Sequence, residues 1–139
     1  MTDKPSARVF IDTNILVYAL VRGDRRTAAS ERILFEGPIL SVQVLNECVD
    51  VLRRKLHWNW DRIEGNLTLV EELCGPPVSL THEVHRSAVE IAKRYELRIY
   101  DALIVASAVE AGCGTLYSED MQSGQKMRSL TVRNPFTSS

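Results

Sequence analysis

From Arg8 to Val21 the chain reads RVFI, then DTN, then ILVYALV. The first four residues form a short β-branched and aromatic run, and the last seven are apolar and long enough for a short helix. The polar triplet between them therefore marks a junction of strand and helix. The same alternation recurs along the chain. A helix is expected from Asp24 to Phe35, with Ala28, Ile33 and Leu34 among its charges; Gly37 and Pro38 close it before a short strand, ILS. Leu45, Cys48, Val49, Leu52 and Leu56 then fall at helical spacing in a helix from Val42 to Leu56. Another helix runs from Asn59 to Leu73, with Ile63, Leu67 and Val70 inward, until GPP breaks it ahead of a third strand, VSL. Thr81 caps a helix that reaches about Tyr95 on the stripe Val84, Ala88, Ile91 and Ala92. YDALIVASAVEAG reads as a largely buried helix ending at Gly112, followed by the strand TLY and a final strand near LTV. Strands alternating with helices predict an α/β fold, with a central, mainly parallel sheet of four to five short strands flanked by helices.

With 139 residues, 45% of them hydrophobic, the chain is long enough for one domain with a real core. No linker or repeat divides residues 1–139; only the first few residues and a tail from about 134 to 139 read as loose. A formal net charge of -1 argues against a strongly basic surface, so any polyanionic partner must be met by a local patch. Cys48, Cys74 and Cys113 are odd in number and lack paired spacing, which suits reduced thiols better than zinc or a redox motif. MTDKPSARVF has no signal-peptide layout, and the apolar run after it is too short to span a bilayer. A soluble, cytoplasmic protein with no membrane partner is the expectation.

In a parallel α/β sheet, ligands gather beyond the carboxyl ends of the strands. Asp12 follows RVFI and Asp120 follows TLYS, so both are expected at that edge. Glu47 lies in the second turn of the helix leaving ILS. Asp101 opens a helix that must run antiparallel to TLY, which sets its start beside that strand's end. Four carboxylates can thus converge. Each also has a plainer reading: Asp12 or Thr13 as a cap for the next helix, Asp101 as a cap for its own, Asp120 as a turn residue. For Asp101 and Asp120 taken singly, the plainer reading is the better one. Glu47 resists it, because Val44, Cys48 and Val51 surround it on one helical face and an ionised carboxylate there needs a partner. No lysine or arginine of evident placement attends all four acids, and crowding them would raise their pKa values. A divalent cation resolves the conflict, and oxygen-only ligation selects a hard ion, Mg2+ or Mn2+.

FIDTNILVYA, LNE at Glu47, YDALIVASA at Asp101 and LYSEDMQ at Asp120 together resemble the PIN domain family, most closely the VapC-type toxin ribonucleases of toxin–antitoxin modules. The likeness spans nearly the whole chain, with four motifs in order. It implies a parallel-sheet nuclease whose acids hold Mg2+ or Mn2+ and cut single-stranded or loop RNA, often transfer RNA in the toxin branch. The family's four acids fall on Asp12, Glu47, Asp101 and Asp120, with the metal mainly on Asp12, Asp101 and Asp120. Asn14 and Ser118 are the accompanying polar residues. Asp120 is preferred as the last acid, with adjacent Glu119 the alternative. The resemblance also implies a cognate antitoxin packed over the site, and homodimers are common in the family.

Arg22, Arg25 and Arg26 are candidate substrate contacts, although surface solvation explains them equally. His82 and His85 lack a third ligand and the HExxH spacing, so they read as surface residues. Trp58 and Trp60 read as core or rim. A receiver domain would need a lysine near the last strand, where LTVRNPF stands, and a haloacid-dehalogenase-like phosphatase would need an aspartate at Asn14. The stronger rival is a catalytically silent PIN-like module that only binds RNA or protein.

Overall fold

Asp12 is where side-chain chemistry first sets the backbone. In the computed structural model, which describes residues 7–136, β1 covers Val9–Ile11 and α1 covers Thr13–Leu20. Asp12 is extended, at φ -78° and ψ 166°, and its carboxylate accepts the Thr13 amide, so strand ends and helix begins on one residue. The next helix, α2 (Thr27–Phe35), starts three residues later than expected, because the Asp24 carboxylate accepts the Arg26 amide in a turn. Its Leu34 is buried, whereas Ala28 faces solvent.

The helix expected to run from Val42 to Leu56 changes pitch. α3 holds over Val42–Asp50, with Ser41 Oγ accepting the Val44 amide, and Val51–Lys55 then forms one wide π turn. Cys48 and Leu52 are buried as the spacing predicts; Leu56, beyond the widened turn, is exposed. α4 (Trp60–Cys74) is capped by Asn59 and buries Ile63 and Val70, with Leu67 half-buried. α5 (His82–Tyr95) is capped by Thr81 and buries Val84, Ala88 and Ile91. α6 (Ile99–Glu110) buries every residue from Ala102 to Ala108, and Gly112, at φ 74°, turns the chain back into the sheet.

β2 (Thr115–Tyr117) lies parallel between β1 and β4 (Leu130–Arg133), and β3 (Lys126–Met127) pairs antiparallel with β4, giving the order β1-β2-β4-β3. This is the four-stranded, mainly parallel sheet expected of the sequence. Phe10 and Ile11 point to opposite faces and both are fully buried, so the sheet is covered on each side. Leu116 and Val132 continue that core.

Two strand expectations need correction. ILS makes two isolated parallel bridges, Phe10↔Ile39 and Ser41↔Val78, and VSL shares the second; neither forms a strand. Ser41 is already the cap of α3, while Pro38 and Pro77 have no amide hydrogen to extend a ladder. Conversely, β3 has no sequence periodicity and arises from a tight turn, with Arg128 at φ 58°, that lays Met127 against Leu130.

The three cysteines are free, and Cys48 and Cys113 are buried. Trp58 is buried with the Arg62 guanidinium over its ring, while Trp60 is exposed. His82 and His85 stack on each other at the surface. Of the expected loose ends, residues 1–6 and 137–139 lie outside the described residues; at 134–136, the Phe136 ring meets Tyr18 edge-on. Among the described residues no helix is long and apolar enough to cross a membrane.

Candidate active site

β1 and β2 are paired in the register Ile11↔Tyr117, so the residues that leave them emerge side by side. The Asp12 amide extends the ladder by one rung to the Tyr117 carbonyl, and Ser118 Oγ donates to Asp12 Oδ2 at 2.7 Å. The Thr13 amide donates to Oδ1, also at 2.7 Å. Only 5% of Asp12 is exposed. Burial pushes its carboxyl up to about 6; the Ser118 and Thr13 hydrogen bonds resist the rise, and the charges of Asp101 and Glu47 add to it.

Glu47 comes from the second turn of α3. Gln43, one turn earlier, donates to Oε2 at 2.8 Å, and Thr13 Oγ1 donates to Oε1 at 3.2 Å. The partner that its apolar neighbours demand is therefore a pair of neutral donors, not a cation. Asp101 sits in the first turn of α6. Burial raises its pKa, Arg98 opposes the rise, and Asp120 adds to it. Arg98 thus attends Asp101, whereas no cation among the described residues acts on Asp12.

Asp12, Glu47, Asp101 and Asp120 all line one open cavity of about 730 Å³. Asn14 is on its wall too, and both polar atoms of the Asn14 side chain are buried without a hydrogen-bond partner. Ser118 stands behind Asp12, fully buried. The cavity does not take in Glu119, Arg22, Arg25 or Arg26. Arg22 and Arg25 are exposed; Arg26 forms salt bridges with Asp24 and Glu119 at 2.8 Å each, and is committed there rather than available to a substrate. Sequence reasoning did not place Gln43, Lys55, Arg98 or Tyr100 on this wall. Gln43 was legible as the helical neighbour four residues before Glu47. Lys55 continues the same four-residue spacing through Val51, although with Arg53 and Arg54 it reads as a helix-end cation.

A family model described as PIN domain matches residues 9–123. The chain belongs to the PIN domain family. All four acids of the cavity lie inside the matched span. Among curated proteins, none matches the chain in sequence. Solved structures do resemble this PIN domain. Mycobacterium tuberculosis VapC20, described as a sarcin-ricin loop cleaving toxin, is similar at a TM-score of 0.65 and 20% identity, over 81% of this chain and 89% of that one. A toxin–antitoxin complex from Klebsiella pneumoniae gives 0.69 and 20%, over 92% and 98%. VapBC2 from Rickettsia felis, bound to a DNA fragment from their promoter, gives 0.62 and 16%, over 91% and 97%. At these identities the likeness establishes a shared fold.

The residues of this PIN cavity suit a hard divalent ion. Its donors are oxygens, its acids repel one another, and Asn14 has unpaired polar atoms beside them. Among the described residues no three aspartate, glutamate, histidine or cysteine side chains are gathered closely enough to enclose an ion unaided. That is compatible with magnesium, which takes one or two carboxylates and keeps several waters.

Proposed function

We propose that this PIN domain is a metal-dependent endoribonuclease, the toxin of a type II toxin–antitoxin pair. The observation that carries the reading is the meeting of four acids, from the ends of β1 and β2 and from α3 and α6, in one open cavity where Asp12 is buried without a matched cation. The structural neighbours support RNA as substrate and an antitoxin protein as partner, since one is described as a loop-cleaving toxin and another as a toxin–antitoxin complex. Transfer RNA and a ribosomal RNA loop are both substrates in keeping with this reading, as is a homodimeric assembly.

One or two of Asp12, Asp101 and Asp120 would hold Mg2+ or Mn2+ directly and the rest through its waters; when bound, the ion supplies positive charge for phosphoryl oxygens and acidifies a water. Ser118 and Thr13 fix the direction of the Asp12 oxygens. Glu47, oriented on both oxygens by Gln43 and Thr13, is placed to take a proton from the attacking water. The water forms a bond to phosphorus as the bond to the 3'-oxygen breaks; that oxygen takes a proton from bulk water, and Glu47 returns the one it accepted to solvent.

The test is to incubate the protein with transfer and ribosomal RNA, with Mg2+ or with EDTA, and to sequence the ends. We expect 5'-phosphate and 3'-hydroxyl products, no cutting in EDTA, and none by a folded Asp12→Ala variant. A cyclic 2',3'-phosphate, or an active Asp12→Ala variant, would overturn the reading. Binding without cleavage would return the silent module.

A further inference from the structure

The ribonuclease reading leaves a problem that the cavity itself poses: four carboxylates repel the phosphodiester they are meant to cut. Among the described residues the only lysine and arginine on the cavity wall are Lys55, from the π turn, and Arg98, the residue that precedes α6. Neither side chain forms a salt bridge or a hydrogen bond with a described residue, whereas Arg26, Arg54 and Arg128 are all paired with acids. Arg98 precedes α6 and Asp101 lies in its first turn, both on the same wall. Lys55 closes the stripe Gln43, Glu47, Val51 and Lys55, spaced four residues apart, that lines the wall; the widened turn over Val51–Lys55 in which it sits is a local departure of the kind that recurs at functional sites.

Between Arg98 and Asp101 stands Tyr100. It is 55% exposed on the same wall, in the first turn of a helix whose middle, Ala102 to Ala108, is buried throughout. Its ring makes no aromatic or cation–π contact with a described residue, unlike Tyr18 and Tyr95. A large exposed ring, two uncommitted cations and a cavity of about 730 Å³ meet around the acids. That volume lies inside the roughly 300–1,000 Å³ range of small-molecule sites, and it is room for one nucleotide with its phosphates.

We infer that Tyr100, Arg98 and Lys55 form the nucleotide-holding wall of this site: Tyr100 stacks one unpaired base, while Arg98 and Lys55 take the phosphates on either side of it. The inference rests on the ribonuclease reading and deepens it. Stacking on Tyr100 requires a base with a free face, so the wall selects an unpaired strand over a duplex. The cations act locally in a chain whose net charge is -1, so few phosphates are gripped and the salt dependence is shallow.

Fluorescence anisotropy of a short labelled single-stranded RNA, and of the same strand in a duplex, tests this with Ca2+ in place of Mg2+ to hold cleavage back. Tyr100→Ala is expected to weaken single-strand binding about tenfold, in line with the worth of one base stack, without changing the salt slope, and Tyr100→Phe to bind like the parent. Lys55→Ala and Arg98→Ala are each expected to flatten the plot of log K against log salt by about 0.7, one phosphate contact. Tyr100 is exposed, so its variants fold; circular dichroism checks this. If Tyr100→Ala and the two cation variants bind and cut RNA like the parent, this wall is wrong while the ribonuclease reading stands. If the parent binds no RNA and cuts none in Mg2+ or Mn2+, the ribonuclease reading falls and the wall with it.

Discussion

Glu119 and Asp120 are neighbours in the chain and belong to different regions of the molecule. Glu119 accepts from the Tyr18 hydroxyl at 2.5 Å and from Arg26 Nη1 at 2.8 and 2.9 Å. The same guanidinium grips Asp24 and lies 4.2 Å over the Tyr18 ring. Burial alone would raise the Glu119 pKa, but Tyr18 and Arg26 pull it below its ordinary value. One residue on, Asp120 makes no hydrogen bond or ion pair with a described residue, and its charge pushes the Asp101 carboxyl up. Both residues are acids on one short loop, so residue type does not separate them. What separates them is the supply of counter-charge. A matched carboxylate holds the chain together, whereas unmatched ones near each other are the mark of a site.

Removing an unmatched acid should therefore abolish activity and relieve the fold. Asp12→Asn keeps a residue able to cap α1 and removes the charge. Its cleavage rate is expected to fall by more than the roughly 10–100-fold that loss of an outer partner of a metal ligand costs. Stability should move the other way. The folded pKa of Asp12, about 6, lies above the ordinary 3.8, so the folded chain holds the proton more tightly than the unfolded one. Stability is lost as pH rises through that interval, and above it the penalty is complete at about 3 kcal/mol. Urea titrations in EDTA at pH 8 should find Asp12→Asn the more stable protein by up to that amount, with the difference gone once pH falls below the ordinary carboxylate range. Equal stabilities at pH 8 would mean that the buried charge costs the fold nothing.

Ser118→Ala should have the next largest effect. It leaves all four acids in place and removes the 2.7 Å hydrogen bond that aims Asp12 Oδ2. The loss expected is about 10–100-fold in divalent-ion affinity, read as the concentration of Mn2+ that half-restores activity after EDTA treatment. An unchanged requirement for Mn2+ would show that Ser118 only fills space.

The two regions were unequally legible in the sequence. Asp12 stood out because it interrupts an apolar run, and the direction of the last long helix was enough to bring Asp101 to the same edge. Strand-end logic placed Asp12 and Asp120 at one edge; Ser118 came from the family resemblance, and the register Ile11↔Tyr117 is what sets it beside Asp12. Arg26 was misjudged as a substrate contact, since its partner Glu119 is 93 residues away and nothing local announces the pair. Lys55 lies eight residues beyond Glu47 on one helical face, but among Arg53 and Arg54 it reads as a helix-end cation, and Arg98 looked like any surface cation because a cavity wall has no signature in spacing. ILS and VSL are too short for periodicity to distinguish one bridge from a strand. β3 depends on a non-glycine residue at positive φ, Arg128, a conformation that composition does not encode.

The matched region should yield the smallest effects and the opposite sign. Glu119→Gln retains an acceptor for Tyr18 and Arg26 but not the charge, so the thermal midpoint should drop by roughly 2–5 °C at neutral pH, the size of one charge-assisted hydrogen bond in a chain of this length. Arg26→Lys, which keeps the charge but cannot fork between Asp24 and Glu119, should drop it by less. Cleavage by Glu119→Gln should stay within about tenfold of the parent, because Glu119 touches neither the cavity nor Asp12. The folded pKa of Glu119 is depressed, so its contribution is present above the ordinary value and disappears as pH falls through the folded one. Both acid-to-amide variants thus approach the parent in acid, but at neutral pH Asp12→Asn should lie above it in stability and Glu119→Gln below. If both lie below, Asp12 is held by matched partners like Glu119, and the distinction between the two regions fails at its most buried member.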